Sequence, residues 1–165
     1  MFIELENLFS GAVENEGIDL SFDFSDCEYN GVHPFVTPIS LVGNFSNKAG
    51  IVEIDAEADF DFTAACDRCA EETTTHYSVP IKHTLVTSVN GENDDDYIIV
   101  EDMRLEIDRL TLEDIYLFLP SKYLCKEDCK GLCPKCGTNL NEKSCNCKKD
   151  IDPRWEALLS AHDFD

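Results

Sequence analysis

The stretch I-V-E-I-D-A-E-A-D-F-D-F-T-A, residues 51–64, alternates apolar and polar side chains almost without a break. Val52, Ile54, Ala56, Ala58, Phe60, Phe62 and Ala64 fall on one side of a period-two pattern, and Glu53, Asp55, Glu57, Asp59 and Asp61 on the other. Successive side chains of a strand point to opposite faces, so this segment reads as a long strand with one face in a core and one in water. Upstream, Phe35, Ile39, Leu41 and Phe45 mark a partner strand over 35–45, and S-N-K-A-G at 46–50 supplies the turn of a hairpin. Downstream, Tyr77, Val79, Ile81 and Leu85 give a third strand, in which Pro80, lacking an N–H, asks for a free edge. Ile18, Leu20, Phe22 and Phe24 give an earlier strand, and Tyr97 to Val100 a short late one.

Helix signals begin only after residue 105. Asp108, Thr111 and Asp114 resemble a capping box at the head of a short helix, with Leu110, Leu112, Ile115 and Phe118 as its apolar side and Pro120 as its stop. In D-P-R-W, Asp152 is placed as an N-cap, Pro153 at the first helical position, and Trp155, Leu158 and Leu159 as the stripe of a C-terminal helix. G-E-N-D-D-D at 91–96 reads as an exposed acidic loop. The expected fold is α+β: an antiparallel β-sheet or partly closed barrel, a short helix, a Cys-rich zinc-binding module and a C-terminal helix. The expected division is an acidic β domain over 1–120 and the Cys-rich module with its helix over 121–165, packed on the first.

The formal net charge is −21, and it is unevenly placed: residues 1–120 hold 26 acids and 5 bases, residues 121–165 hold 8 of each. Such a surface repels phosphate backbones and suits a basic protein partner. Lysines 122, 126, 130, 135, 143, 148 and 149 stud the cysteine segment. They offer local RNA contact, or simply balance the two negative charges of each zinc tetrathiolate.

Nine cysteines decide the rest. Cys125, Cys129, Cys133, Cys136, Cys145 and Cys147 crowd one segment, and Cys66 and Cys69 form C-D-R-C at the turn between two strands. Eight thiolates make two tetrahedral zinc sites and leave Cys27 over. An odd total of cysteines, most of them crowded into one local segment, with no secretory signal in M-F-I-E-L-E-N-L-F-S, favours metal over disulfides and a reducing cytoplasm. No stretch approaches transmembrane length.

Cys133-Pro-Lys-Cys136-Gly137 has the form of a zinc knuckle, and Cys145-Asn-Cys147 closes the preferred site. The competing group is Cys125, Cys129, Cys133 and Cys136, so one zinc is the firmer expectation and two follow if Cys66 and Cys69 join Cys125 and Cys129. C-D-R-C also admits a thiol redox or metal-handling role, although strand signals flank it where a reactive pair usually opens a helix. His33, His76, His83 and His162 are scattered, and no nucleophile triad or phosphate loop is present. A non-enzymatic role is expected.

With these residues in view, the chain resembles the bacterial YceD family, a domain of unknown function. The likeness rests on Cys66-Asp-Arg-Cys69 after a strand, Leu124-Cys125, Cys129 through Asn141, Cys145-Asn-Cys147 and Asp152-Pro-Arg-Trp155. It implies a role in accumulation or processing of large-subunit ribosomal RNA, with a gene often beside that of a small zinc-binding protein of the large ribosomal subunit; taken with the acidic charge, the expected partner is a basic ribosomal protein or a pre-large-subunit particle. The resemblance carries no catalytic residue.

Overall fold

The computed structural model describes residues 1–88 and 97–147. The chain forms two compact units, one made of Met1–Ala64 and Glu72–Tyr123, the other of Ala65–Glu71 and the chain from Leu124 onward. The C-terminal helix expected from Asp152 to Leu159 and the acidic loop at 91–96 lie outside the described residues.

Among the described residues, seven strands and two α-helices are numbered in chain order: β1 (Phe2–Glu4), α1 (Glu6–Phe9), β2 (Asn15–Phe22), β3 (Ile39–Lys48), β4 (Ile51–Ala65), β5 (Glu72–Val86), β6 (Tyr97–Ile99), β7 (Arg104–Glu106) and α2 (Ile107–Phe118). The protein is α+β, and its main sheet has the order β2-β3-β4-β5-β6. β4 is the strand that the alternating stretch predicts. Its hairpin with β3 is tighter than a loop over 46–50: Lys48 pairs with Ile51, so only Ala49 and Gly50 turn the chain. Both have positive φ, +55° and +88°, the geometry of a two-residue turn whose twist matches the strands. Asn47 helps to hold it, accepting the Gly50 N–H at 2.9 Å and donating to Leu8 O.

β3 starts at Ile39 rather than Phe35, because Pro38 has no N–H to enter the ladder. Phe35 instead makes one bridge to Phe62 and is fully buried. The last pairing also differs from an all-antiparallel sheet, since β6 runs parallel to β5, with Thr84 opposite Tyr97 and Val86 opposite Ile99. β6 covers only that end of β5, so no strand among the described residues pairs the edge at Pro80.

The inward residues of β3, β4 and β5 meet α1, α2 and the 23–35 segment in one core. Phe35 packs on Phe60, Phe62 and Tyr116, and Leu8, Ile54, Ile81 and Ile115 are sealed from water. Each such side chain contributes roughly 1.5–3 kcal/mol by leaving water. β1 and β7 form a separate two-stranded antiparallel ribbon, Phe2 opposite Glu106, which the sequence pattern does not announce.

α2 corrects the expected cap. β7 runs straight into the helix at Ile107, and Glu106 at the cap position makes no side-chain capping bond. Asp108 accepts the Arg109 N–H and pairs with the N-terminal amine of Met1. Thr111 donates to Ile107 O within the helix, and Asp114 meets His83 of β5 at 2.6 Å. The end is as expected: Leu119 turns to an extended conformation before Pro120.

Candidate metal centres

The second unit is built around two sulfur clusters, and no helix among the described residues contributes to it. Cys66 and Cys69 sit in a tight turn in which Ala70 N–H donates to Cys66 O (2.8 Å) and Cys66 N–H donates to Glu71 O (2.9 Å). Ala70 carries the positive φ, +58°, that closes the turn. Cys133 repeats the pattern: Gly137 N–H donates to Cys133 O (2.9 Å), Cys133 N–H donates to Thr138 O (2.9 Å), and Gly137 has φ +71°. The two turns are the same device, with alanine in one where glycine stands in the other.

The sulfurs of Cys66, Cys69, Cys125 and Cys129 lie within 4.8 Å of one another, and so do those of Cys133, Cys136, Cys145 and Cys147. Cys66 and Cys129 are 3.8 Å apart, Cys69 and Cys125 3.6 Å. A tetrahedron with metal–sulfur bonds near 2.3 Å has edges of about 3.8 Å, so the first cluster has the dimensions of a zinc tetrathiolate. All nine cysteines are free thiols. The structure thus joins Cys125 and Cys129 to the hairpin pair, and not to Cys133 and Cys136. Cys27 stands apart, half-buried against the core of the first unit.

Support around the sulfurs is specific. Arg68 O accepts the Leu132 N–H at 2.9 Å, and the Arg68 guanidinium donates to Cys129 O at 2.9 Å. A side chain at Gly131 would meet Arg68 O at 3.0 Å, and Gly131 also needs φ +74°. Asn141, from the loop that closes the second cluster, donates from Nδ2 to Cys129 Sγ at 3.3 Å and accepts the Lys130 N–H at 2.9 Å. Thr138 Oγ1 lies 3.2 Å from Cys136 Sγ. None of Arg68, Ala70, Thr138 and Asn141 stands out by residue type as a partner of sulfur.

The thiols of each cluster divide into two that ionise readily and two that do not. Burial pushes Cys66 up, but N–H groups of Cys125, Cys69 and Arg68 aimed at its sulfur outweigh it and bring it to about 6. The Asn141 amide holds Cys129 down against burial. Burial and the neighbouring Cys69 and Cys129 push Cys125 up to about 12. In the second cluster the Thr138 hydroxyl lowers Cys136 to about 6, and Cys136 beside it drives Cys147 to about 12. Four thiols at this spacing cannot all ionise unaided, and a divalent cation is what allows the remaining protons to leave. The residues therefore fit zinc, which would be held by all four sulfurs of a cluster with no open position and would act as a structural cross-link.

The clusters differ in exposure. Cys66, Cys69 and Cys129 are buried, whereas Cys136 and Cys147 are exposed. Outside them, His76 on β5 faces Asp61 at 2.9 Å and Asp59 at 3.8 Å across the solvent side of β4. No helix of the described residues is long and apolar enough to cross a membrane.

Comparison with known proteins agrees with these features. The chain is 27% identical over 126 residues to the protein YlbN of Bacillus subtilis, covering 74% of this chain and 73% of that one. It is 24% identical over 148 residues to a chloroplastic protein of Arabidopsis thaliana named large ribosomal RNA subunit accumulation protein YCED homolog 1, covering 72% of this chain and 46% of that one. An uncharacterized protein of Mycobacterium tuberculosis is 35% identical over 60 residues, 36% of this chain, and the chain spans only 29% of that relative's length. No solved structure matches. Residues 54–160, which run from near the start of β4 through both sulfur clusters, match the family described as large ribosomal RNA subunit accumulation protein YceD, and the chain belongs to that family.

Proposed function

We propose that this protein is a non-enzymatic ribosome-biogenesis factor that supports large-subunit ribosomal RNA accumulation by binding a basic ribosomal protein or a pre-large-subunit particle in the bacterial cytoplasm, with zinc in its cysteine clusters. The observation that carries the binding mode is the outer face of the main sheet. Glu53, Asp55, Glu57, Asp59 and Asp61 lie along β4, and Asp19 of β2 shares that face through its pairing with Val42, itself opposite Glu57. Local cations answer only part of this charge: Lys82 pairs with Asp55 at 3.1 Å and Lys48 with Glu53 at 3.7 Å. A face of one sign steers an oppositely charged partner and turns away phosphate.

The second unit does not reverse that preference. Its described residues set Asp67, Glu71, Glu127, Asp128 and Glu142 against Arg68, Lys126, Lys130, Lys135 and Lys143. These cancel, and each zinc tetrathiolate adds two negative charges, so the lysines serve charge balance before any contact with RNA. The test is affinity purification of the full chain from cell extract at low and high salt. Large-subunit precursors or their proteins should be retained at low salt and shed at high salt. Retention of neither would overturn the proposal.

A further inference from the structure

Beside β6 lies a groove of about 560 Å³ whose floor is apolar, from Phe2, Ile98, Ile99, Leu105 and Leu110. β6 ends the main sheet: β5 pairs one side of it, and no strand among the described residues pairs the other. The ladder to β5 runs on past the strand, with Val100 N–H donating to Val86 O at 2.8 Å. Phe2 is 64% exposed and Ile99 46%, so large apolar side chains line an uncovered strand edge. The rim sets Glu101, Asp102, Glu106 and Glu113 against Arg104 and Arg109, a net excess of acid. Its two arginines are already engaged, Arg104 with Glu4 at 2.9 Å and Arg109 with Glu113 at 2.8 Å. Glu101 has no ion-pair partner among the described residues.

We propose that this groove accepts an extended segment of a basic protein as a sixth strand on β6, with its apolar side chains in the groove and lysines or arginines at alternate positions meeting the acidic rim. An added strand gains main-chain hydrogen bonds from the open edge and specificity from the pockets beneath it. A period-two segment presents apolar groups to one side and cations to the other, which is the complement of an apolar floor under an acidic border. β6 is three residues long, so the register is short and the groove and the charges decide the affinity. The inference rests on the proposed function for the basic character of the partner, and adds where that partner binds.

The test uses the full chain and a synthetic octapeptide of alternating lysine and valine, followed by fluorescence anisotropy and by amide chemical shifts. Shifts centred on Tyr97–Glu106 are expected, with at least tenfold weaker binding in each of two exposed-site variants, Ile99→Lys and Glu101→Lys. An all-lysine octapeptide should not reproduce the shifts. Equal binding of both peptides, shifts confined to Glu53–Asp61, or affinity unchanged in both variants would overturn the groove. Purification from extract with Ile99→Lys separates the two proposals. If ribosomal precursors are retained by the native chain but the octapeptide ignores the groove, only the groove falls. If the octapeptide binds the groove and no ribosomal component is retained, only the ribosomal reading falls.

Discussion

Replacing Asn141 with alanine should loosen one zinc ion and leave the other in place. The Asn141 amide donates to Cys129 Sγ at 3.3 Å, a bond to a group that is anionic whenever metal is bound. Hydrogen bonds to charged groups contribute about 1.5–3 kcal/mol. Two further bonds are lost, from the exposed Lys130 N–H to Asn141 Oδ1 at 2.9 Å, which water readily replaces, and from Asn141 Nδ2 to Asn139 Oδ1 at 2.9 Å, a local neutral contact that adds less than the bond to sulfur. A loss of about 1.4–2.7 kcal/mol corresponds to a 10- to 100-fold weaker site, the range found when partners of metal ligands are removed. Asn141→Asp should be worse, because it keeps an acceptor for Lys130 but sets a carboxylate against thiolates. Thr138→Val is the mirror experiment, since Thr138 meets Cys136 of the other cluster at 3.2 Å. The assay is chelator competition on the zinc-loaded chain followed by native mass spectrometry, with thiol alkylation mapping which cysteines are freed. Asn141→Ala should expose Cys66, Cys69, Cys125 and Cys129 first, and Thr138→Val the other four. If both variants free the same set, or Asn141→Ala holds both ions as tightly as the native chain, the reasoning about Asn141 is wrong.

In the native, zinc-loaded protein, exposed Cys136 and Cys147 should be alkylated well before buried Cys66, Cys69 and Cys129, read by peptide mapping over time; equal rates would contradict the difference in exposure. Gly43→Ala should destabilise the first unit by about 3 kcal/mol in urea denaturation, because a Cβ there would lie 2.3 Å from Ala56 Cα and 2.4 Å from Asp55 O, contacts only backbone movement can relieve. Gly137→Ala should lower stability by roughly 0.5–1 kcal/mol and Ala70→Gly raise it by a similar amount, since the left-handed conformation costs an alanine about 1–2 kcal/mol and the greater freedom of glycine in the unfolded chain offsets part of that. Urea midpoints of the metal-loaded variants moving in the same direction would refute the equivalence of the two turns.

The strands were legible where the alternation was strong. β4 follows from its own side chains, because a half-buried strand writes both faces into the sequence. β1 and β7 are three residues each, too short to show a period, and they exist because they pair with one another. Asp108, Thr111 and Asp114 fit a capping box in spacing, but a strand entering the helix directly, the N-terminal amine and His83 claimed those groups instead. Spacing left two groupings of the cysteines open, and the fold decides between them by bringing the Cys66–Cys69 turn to Cys125 and Cys129. The residues that orient those sulfurs were hidden, since an asparagine becomes a partner of Cys129 only once the chain has folded back by 12 positions.

The first cluster draws its sulfurs from two places far apart in the chain, with Cys69 and Cys125 separated by 56 positions. A metal held there ties a ring, and within that ring lie β5, β6, β7 and α2. Closing a loop of this length in the unfolded chain lowers its entropy by the equivalent of about 4 kcal/mol, on the reasoning applied to other cross-links. The ring also sets an order in time. During synthesis, Cys66 and Cys69 wait with half a site until every strand of the first unit and both its helices have emerged, and only then do Cys125 and Cys129 arrive. Metal capture at this cluster therefore marks a chain that has been made at least that far.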